Sequence, residues 1–223
     1  MEIWLDSINV NTIRHAAELG VLAGVTTNPT ILSRSDQRFE VVVERIMDCQ
    51  QGKLAIQVVH DEYNAIIRQA RRLVGICDRI VIKIPAVGDG LRAIATLEQE
   101  NIATLATTIF ESRQIFMASL CGATYAAPYL NRIEATIGGA FEMLESSQRI
   151  VQNYRFKTKI LAAAVKSVEQ FMHCAELGVS AVTLPDDVYY ALFASSRDIA
   201  SSLEKFDLAW SLNAGMKESP FFA

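Results

Sequence analysis

Short apolar runs alternate along the chain with longer segments in which apolar residues recur every three or four positions. The short runs have the length of buried strands, and the longer segments have the period of amphipathic helices. Eight such runs occur, at residues 2–6, 22–27, 54–59, 79–85, 103–109, 124–129, 159–165 and 180–185. Because strands that alternate with helices pair in parallel, the pattern predicts an α/β fold.

Successive runs begin about 20 to 35 residues apart, the length of one strand and helix with short loops. Eight such units predict one (β/α)8 TIM barrel over residues 1–223. The alternative is an open doubly wound sheet, which usually carries a glycine-rich loop after its first strand; here the first run continues as DSINVNT. An additional C-terminal helix, about 199–213, and the aromatic tail at 216–223 remain, and we expect them to pack on a neighbouring subunit.

Charge and composition narrow the class of partner. The net charge is -4, from 21 basic and 25 acidic residues, so we expect no nucleic-acid partner. No apolar run approaches the roughly 20 residues of a membrane span, and the N-terminus lacks a signal-peptide pattern, which predicts no membrane partner and a cytoplasmic location. The four cysteines and three histidines lack metal-ligand spacing, and no nucleotide-binding loop occurs, so neither a metal nor a cofactor is predicted.

Polar side chains stand at or just beyond the end of seven of the eight apolar runs. The carboxyl ends of barrel strands meet at one mouth, where this fold builds its active sites. The candidate site residues are therefore Asp6, Thr26, Asn28, Gln57, Lys83, Thr107, Tyr129, Arg132 and Lys166.

Lys83 lies within the run RIVIKIP, which otherwise consists mainly of buried-strand residues. Removal from water disfavours an ammonium group, so a lysine here is paired, lies at the open mouth or loses its proton. A neutral amine attacks a ketone and forms a Schiff base, which stabilises the charge that develops when an adjacent carbon–carbon bond breaks. The other interpretation is a buried ion pair between Lys83 and Asp6.

Tyr129 and Gln57 supply a proton donor and acceptor for an imine mechanism, through a water molecule held with Thr107. As alternatives, Tyr129 is an amphipathic residue of the barrel rim and Gln57 is a polar residue of the core.

Asp6 and Asn28 either orient the lysine and substrate hydroxyl groups or cap the following loops and helices. Arg132 and Lys166 either bind a phosphate at the far end of a substrate or are solvated surface cations. These alternatives stay open at the level of sequence.

The motifs LAGVTTNPTIL, IVIKIP, AAPYLNR and AVTLP resemble the transaldolase family, and in particular its small bacterial branch of fructose-6-phosphate aldolases. The resemblance extends from Asp6 to about Trp210. It implies a (β/α)8 barrel with a Schiff-base lysine at Lys83, and a homo-oligomer of pentamers paired into decamers. Supporting roles are implied for Asp6, Thr26, Asn28, Gln57, Thr107, Tyr129 and Arg132.

Two positions distinguish the transaldolases of this family from its aldolases. Transaldolases of the family have glutamate at the strand-three position and phenylalanine at the strand-six position, whereas the aldolases have glutamine and tyrosine. This chain has Gln57 and Tyr129 and so resembles the aldolases. The favoured function is thus a class I aldolase that cleaves or forms fructose 6-phosphate or a related ketose, with a dihydroxyacetone-type donor. A transaldolase and a non-catalytic barrel that binds sugar phosphates are the alternatives.

Ala164 departs from the family pattern, because the family has a serine whose hydroxyl helps to hold phosphate. Its loss removes a hydrogen bond worth roughly 0.5 to 1.5 kcal/mol. Thr108 adds a hydroxyl near the same mouth, with no consequence that the sequence predicts.

Overall fold

A computed structural model describes residues 1–213 of the chain. The contacts divide the chain into a first unit, Met1–Tyr189, and a second unit that begins at Tyr190. The strands are β1 (Glu2–Asp6), β2 (Leu22–Thr26), β3 (Lys53–Gln57), β4 (Ile80–Pro85), β5 (Thr104–Ile109), β6 (Tyr125–Pro128), β7 (Lys159–Ala162) and β8 (Ala181–Leu184). The helices are α1 (Val10–Glu18), α2 (Pro29–Leu32), α3 (Phe39–Asp48), α4 (Tyr63–Val74), α5 (Asp89–Gln99), α6 (Ser112–Leu120), α7 (Leu130–Thr136), α8 (Ala140–Asn153), α9 (Val168–Glu176), α10 (Asp186–Ala191) and α11 (Arg197–Leu212).

The eight strands form a closed parallel barrel in chain order. Closure is made by β1, which pairs in parallel with both β2 and β8. The predicted TIM barrel is therefore confirmed, and the open doubly wound sheet is wrong. Each predicted strand is present, although β7 ends at Ala162 rather than at residue 165. The reason is local, because Ala164 has a φ of 56° and so leaves the extended conformation that a strand requires.

The barrel interior is filled in layers. One buried cluster takes side chains from seven strands, among them Trp4, Ala55, Val81 and Leu105. Close packing depends on Gly24, since a Cβ there would lie 2.7 Å from the Trp4 ring. Side chains two positions further along a strand point to the same face. The next layer, nearer the carboxyl ends, is a polar layer that contains Asp6, Thr26, Gln57, Lys83, Thr107, Tyr129 and Thr183.

The opposite end of the barrel carries a polar network around Glu2. Its carboxylate accepts hydrogen bonds from Trp4 Nε1 at 3.1 Å and from Tyr125 Oη at 3.0 Å, and it pairs with Lys159. Lys53 Nζ donates to Tyr125 Oη at 3.2 Å. Burial, followed by the neighbouring Glu2 carboxylate, raises the pKa of Tyr125. The phenol thus stays protonated and joins β1 to β6 across the barrel.

Glu98, near the end of α5, fixes the entry to two strands. Its Oε1 accepts from the backbone N of Thr104 at 2.9 Å and from the Thr104 hydroxyl at 2.6 Å. The same oxygen accepts from the backbone N and the hydroxyl of Thr124, both at 2.8 Å. One carboxylate therefore sets the position of β5 relative to β6, the two strands that carry Thr107 and lead to Tyr129.

The second unit contains α11. The Ser196 hydroxyl caps its N-terminus by accepting from Ile199 N at 3.2 Å. No side chain of α11 is buried, and the exposed fractions of Ile199, Leu203 and Phe206 are 51%, 55% and 68%. The helix predicted at about 199–213 is thus present, while its contact with a neighbouring subunit stays a prediction. The aromatic tail at 216–223 lies outside the described residues. Over residues 1–213, no helix combines the length and apolarity needed to cross a membrane.

Candidate active site

A cavity of about 280 Å³ opens at the carboxyl ends of the strands. Six of the nine residues predicted from the sequence line it: Asp6, Asn28, Lys83, Tyr129, Arg132 and Lys166. They come from β1, β4 and the loops or helices that follow β2, β6 and β7. Barrel closure thus gathers side chains that are up to 160 positions apart in the sequence. The other three predicted residues, Thr26, Gln57 and Thr107, lie beside the cavity in the same polar layer.

Lys83 is the buried amine of this cavity. Lys83 lies in the middle of β4, and its neighbours in the strand register are Gln57 on β3 and Leu105 on β5. The residue is 4% exposed, and Nζ donates one long hydrogen bond, 3.3 Å, to the carbonyl oxygen of Thr27. None of the ion pairs within residues 1–213 involves Lys83. The ion pair with Asp6, which the sequence left open, is therefore not formed.

Asp6 is held instead by a pair of threonines. The hydroxyl of Thr26 donates to Asp6 Oδ1 at 2.7 Å and lies 2.7 Å from the hydroxyl of Thr183. Since the single hydroxyl hydrogen of Thr26 goes to the carboxylate, Thr183 donates to Thr26. This relay fixes the carboxylate across the seam between β8, β1 and β2.

Thr183 was missed by the sequence analysis, although a signal for it exists. It is 3% exposed, lines the cavity and lies two positions after the buried Ala181. The alternation that indicates Lys83 two positions after Val81 indicates Thr183 in the same way. With Thr183, the eighth strand also contributes to the polar layer.

Tyr129 is oriented by contacts on several sides. Its Oη lies 2.7 Å from the hydroxyl of Thr107, which is fully buried. The edge contact with Phe110 has a ring-centroid distance of 5.8 Å, and the guanidinium carbon of Arg132 lies 4.8 Å from the Tyr129 ring centroid. The ring is therefore fixed with its hydroxyl on the cavity side of β5.

Asn28 caps a helix, one of the two roles that the sequence left open, and its role toward a substrate stays a prediction. It is the N-cap of α2, and its Oδ1 accepts from Ile31 N at 3.0 Å. It also lines the cavity. Because the cap uses the oxygen, the amide NH₂ is the group of Asn28 that remains for a ligand.

Gln57 is half-buried at the end of β3, directly opposite Lys83 in the strand register. It does not line the cavity, and its amide makes no hydrogen bond to another residue of the described chain. A water molecule held between Gln57 and Thr107 stays a prediction.

Arg132 and Lys166 are exposed at the cavity mouth. Ala164 lies between β7 and Lys166, and its carbonyl oxygen accepts from Asn131 N at 3.3 Å. Its left-handed backbone places a methyl group in the lining, where no side-chain hydrogen bond is available. Thr108 is also left-handed, with a φ of 59°, and its carbonyl accepts from Gln114 Nε2 at 3.0 Å. Arg34, which the sequence analysis did not single out, lines the same cavity.

Comparison with solved structures shows the fold. A mandelate oxidase with a monooxide FMN adduct is 17% identical, with a TM-score of 0.58 over 92% of this chain and 71% of that one. A flavocytochrome b2 with pyruvate bound is 10% identical, with a TM-score of 0.58 over 82% of this chain and 56% of that one. At these identities the likeness extends to the barrel and not to its chemistry.

Comparison with protein families is more specific. The model of the family described as Transaldolase/Fructose-6-phosphate aldolase matches residues 3–219. A probable transaldolase of Petrotoga mobilis is 34% identical over 86% of this chain and 87% of its own length. A probable transaldolase of Carboxydothermus hydrogenoformans is 34% identical over 94% of this chain and 98% of its own length. The chain therefore belongs to the transaldolase and fructose-6-phosphate aldolase family and is an enzyme of the aldolase or transferase type.

Proposed function

We propose that this enzyme is a class I aldolase that forms a Schiff base through Lys83. One observation carries the proposal: the Lys83 amine is buried in the mouth cavity and has no carboxylate partner within residues 1–213. A buried amine that opens onto a cavity and is not engaged by a carboxylate is placed to bond covalently to a carbonyl compound. The expected substrate is fructose 6-phosphate or a related ketose, with dihydroxyacetone as the donor fragment.

The chemical steps balance without another reactant. Lys83 Nζ bonds to the ketone carbon, and the carbonyl oxygen leaves as water to give an iminium ion. The bond between the α and β carbons of the former ketone breaks; its electron pair forms the enamine double bond, and the π pair of the iminium ion passes to nitrogen. The hydroxyl on the β carbon loses its proton to a base as that carbon becomes the aldehyde. Protonation of the enamine and addition of water release dihydroxyacetone and restore the amine.

Tyr129 is the proposed acid and base. Its Oη shares a hydrogen bond of 2.7 Å with Thr107, whose hydroxyl can donate to a phenolate or accept from a phenol. Proton transfer then passes directly or through one water molecule to the reacting oxygen. Gln57, opposite Lys83 on the adjacent strand, is proposed to hold that water together with Thr107.

Two further groups are proposed to position the substrate. Asp6, held by Thr26, and the free amide of Asn28 line the side of the cavity formed by β1 and the start of α2. They are suited to bind the hydroxyl groups of the dihydroxyacetone fragment. Arg132 and Lys166 are proposed to bind the phosphate of the acceptor aldehyde, because a guanidinium group and an ammonium group complement its charge.

A transaldolase is the second candidate, and the names of the two probable transaldolases favour it. Such an enzyme would pass the three-carbon unit on Lys83 to an aldose phosphate. Gln57 and Tyr129 support the aldolase instead. Fructose 6-phosphate supplied alone separates the two: release of free dihydroxyacetone supports the aldolase, whereas turnover that requires an added aldose phosphate supports the transferase.

A barrel that only binds sugar phosphates would also have a cationic mouth. Borohydride reduction in the presence of dihydroxyacetone tests this third candidate. We expect a mass increase that maps to Lys83, because only an imine is trapped in this way. A folded protein without an adduct would exclude the Schiff-base mechanism.

A further inference from the structure

Arg34 is a cation of the mouth cavity that the proposed mechanism has not used. It follows the short helix α2, whose first turn is set by the Asn28 cap and by Pro29. Its backbone N donates to the carbonyl of Ile31 at 3.2 Å, which closes the last turn. The backbone at Arg34 is therefore fixed relative to Asn28, and its side chain lines the same cavity as Lys83.

The guanidinium group of Arg34 has no hydrogen-bond or ion-pair partner within residues 1–213. Some exposed arginines of the barrel are paired, for example Arg71 with Glu100 and Arg113 with Glu111, so what distinguishes Arg34 is that its unpaired side chain lines the mouth cavity. Arg34 also borders an adjoining cavity of about 420 Å³ that contains Asp186 and Asp187. Among the ion pairs of the described residues, none joins Arg34 to either of these carboxylates. Its five N–H donors are thus available to a ligand at the mouth.

The charges around the mouth cavity match a phosphate monoester. Apart from the reacting lysine, the part of the lining formed by residues 1–213 contains three cations, Arg34, Arg132 and Lys166, and one carboxylate, Asp6. The excess of two positive charges is close to the roughly -1.5 to -2 of a phosphate monoester at pH 7. Without Arg34 the excess would fall to one.

Ala164 is a second reason to expect that Arg34 contacts the phosphate. It lines the cavity between Ala163 and Lys166, and its side chain offers no hydrogen-bond donor to a phosphate oxygen. The geometry points to Arg34 as the residue that supplies the missing donor. Arg34 is then a specificity-determining residue that, together with Arg132 and Lys166, binds the phosphate of the acceptor aldehyde. This inference rests on the proposed function.

The experiment compares two acceptors in the aldol addition of dihydroxyacetone: glyceraldehyde 3-phosphate and glyceraldehyde. The quantity measured is the ratio of kcat/KM for the phosphorylated acceptor to kcat/KM for the other. We expect Arg34→Gln to lower this ratio about tenfold, the effect of one lost hydrogen bond to a charged group. The loss should lie in KM, since the phosphate is bound equally before and during the reaction.

Three further variants sharpen the test. Arg34→Lys should retain part of the ratio because it keeps the charge. Adding Ala164→Ser to Arg34→Gln should recover part of it by providing a hydroxyl. Arg38→Gln is the matched control, because Arg38 is outside the cavity lining and pairs with Glu40 at 3.4 Å; it should keep the parent ratio.

The outcomes separate the two proposals. An unchanged ratio in Arg34→Gln, with the borohydride adduct at Lys83 intact, would overturn the role of Arg34 and leave the aldolase in place. An equal loss for both acceptors would assign Arg34 to the general shape of the mouth and would also overturn it. Absence of the adduct in the parent protein would remove both proposals.

Discussion

The hydroxyl groups of Tyr129 and Thr107 lie 2.7 Å apart near the carboxyl ends of the neighbouring strands β6 and β5. Thr107 belongs to β5 and is fully buried, whereas Tyr129 follows β6 and reaches the cavity. The pair therefore connects a rigid core position to a group that can meet substrate. Such a link keeps the phenol in one orientation while its proton moves.

Tyr129→Phe removes the proposed acid and base and leaves the ring contacts with Phe110 and Arg132. We expect aldol cleavage to slow by about 100-fold or more, the usual contribution of a positioned proton donor. Release of dihydroxyacetone from fructose 6-phosphate measures it. Trapping of dihydroxyacetone on Lys83 should persist, and cleavage at the parent rate would assign the proton transfer to another group.

Lys83→Met replaces the amine with a side chain of similar length. Turnover and borohydride trapping should both be lost, because no other described lysine lines the cavity with its amine buried. Thermal unfolding should show equal or higher stability, since a buried polar group with one long hydrogen bond is replaced by an apolar one. Lys157→Met, at an exposed position, is the control. A trapped adduct in Lys83→Met would place the Schiff base elsewhere.

The barrel and much of its polar layer follow from alternation alone. Each βα unit can be recognised by its periods of two and about 3.6 residues, and inward positions repeat every second residue. Lys83 and Thr107 are therefore predictable from Val81 and Leu105, and Thr183 follows by the same rule from Ala181. A polar residue two positions after a buried inward-facing residue of a strand therefore predicts a member of the polar layer from sequence alone.

Other features depend on geometry that a pattern does not contain. Arg34 reaches the cavity because α2 is a single short turn after the Asn28 cap, and helix length is set by packing. The left-handed backbone of Ala164 has no signal in its residue type, since alanine rarely adopts it. The position of Gln57 beside the cavity rather than in its lining depends on the closure of the barrel.

Glu98→Ala should destabilise the barrel by about 2 to 4 kcal/mol, because four donors on Thr104 and Thr124 lose one shared acceptor. Urea unfolding measures the loss. Glu98→Gln keeps an oxygen acceptor and should lose less. Glu44→Ala, on the exposed face of α3, is the control and should stay within about 0.5 kcal/mol of the parent. Equal stability of Glu98→Ala and the parent would show that water replaces the carboxylate at no cost.

Glu2 makes the free energy of unfolding depend on pH. Burial raises its pKa, but hydrogen bonds from Lys159, Trp4 and Tyr125 outweigh that effect, so the pKa lies below 4.5 in the folded chain. A lowered folded pKa adds stability above the unfolded value and loses it as the pH falls through the folded value. Glu2→Gln should thus cost about 1 kcal/mol at pH 7, discounted for partial exposure, and less at pH 3. Urea unfolding at both pH values checks this, and a constant difference would contradict it.

The apolar stripe of α11 predicts an oligomer. Ile199, Leu203 and Phe206 follow one another at helical spacing, and each is more than half exposed. Burying one such side chain contributes about 1.5 to 3 kcal/mol, so a second copy of the chain is a suitable partner for the stripe.

Phe206→Glu should shift the protein to a smaller assembly, because a carboxylate in that contact would lose its hydration without a partner. Sedimentation velocity measures the mass, and the parent should sediment as a multimer, with a pentamer or decamer expected. Glu204→Gln, on the same helix but outside the stripe, should leave the mass unchanged. A monomeric parent, or a Phe206→Glu variant that assembles like the parent, would show that the stripe of α11 does not hold the subunits together.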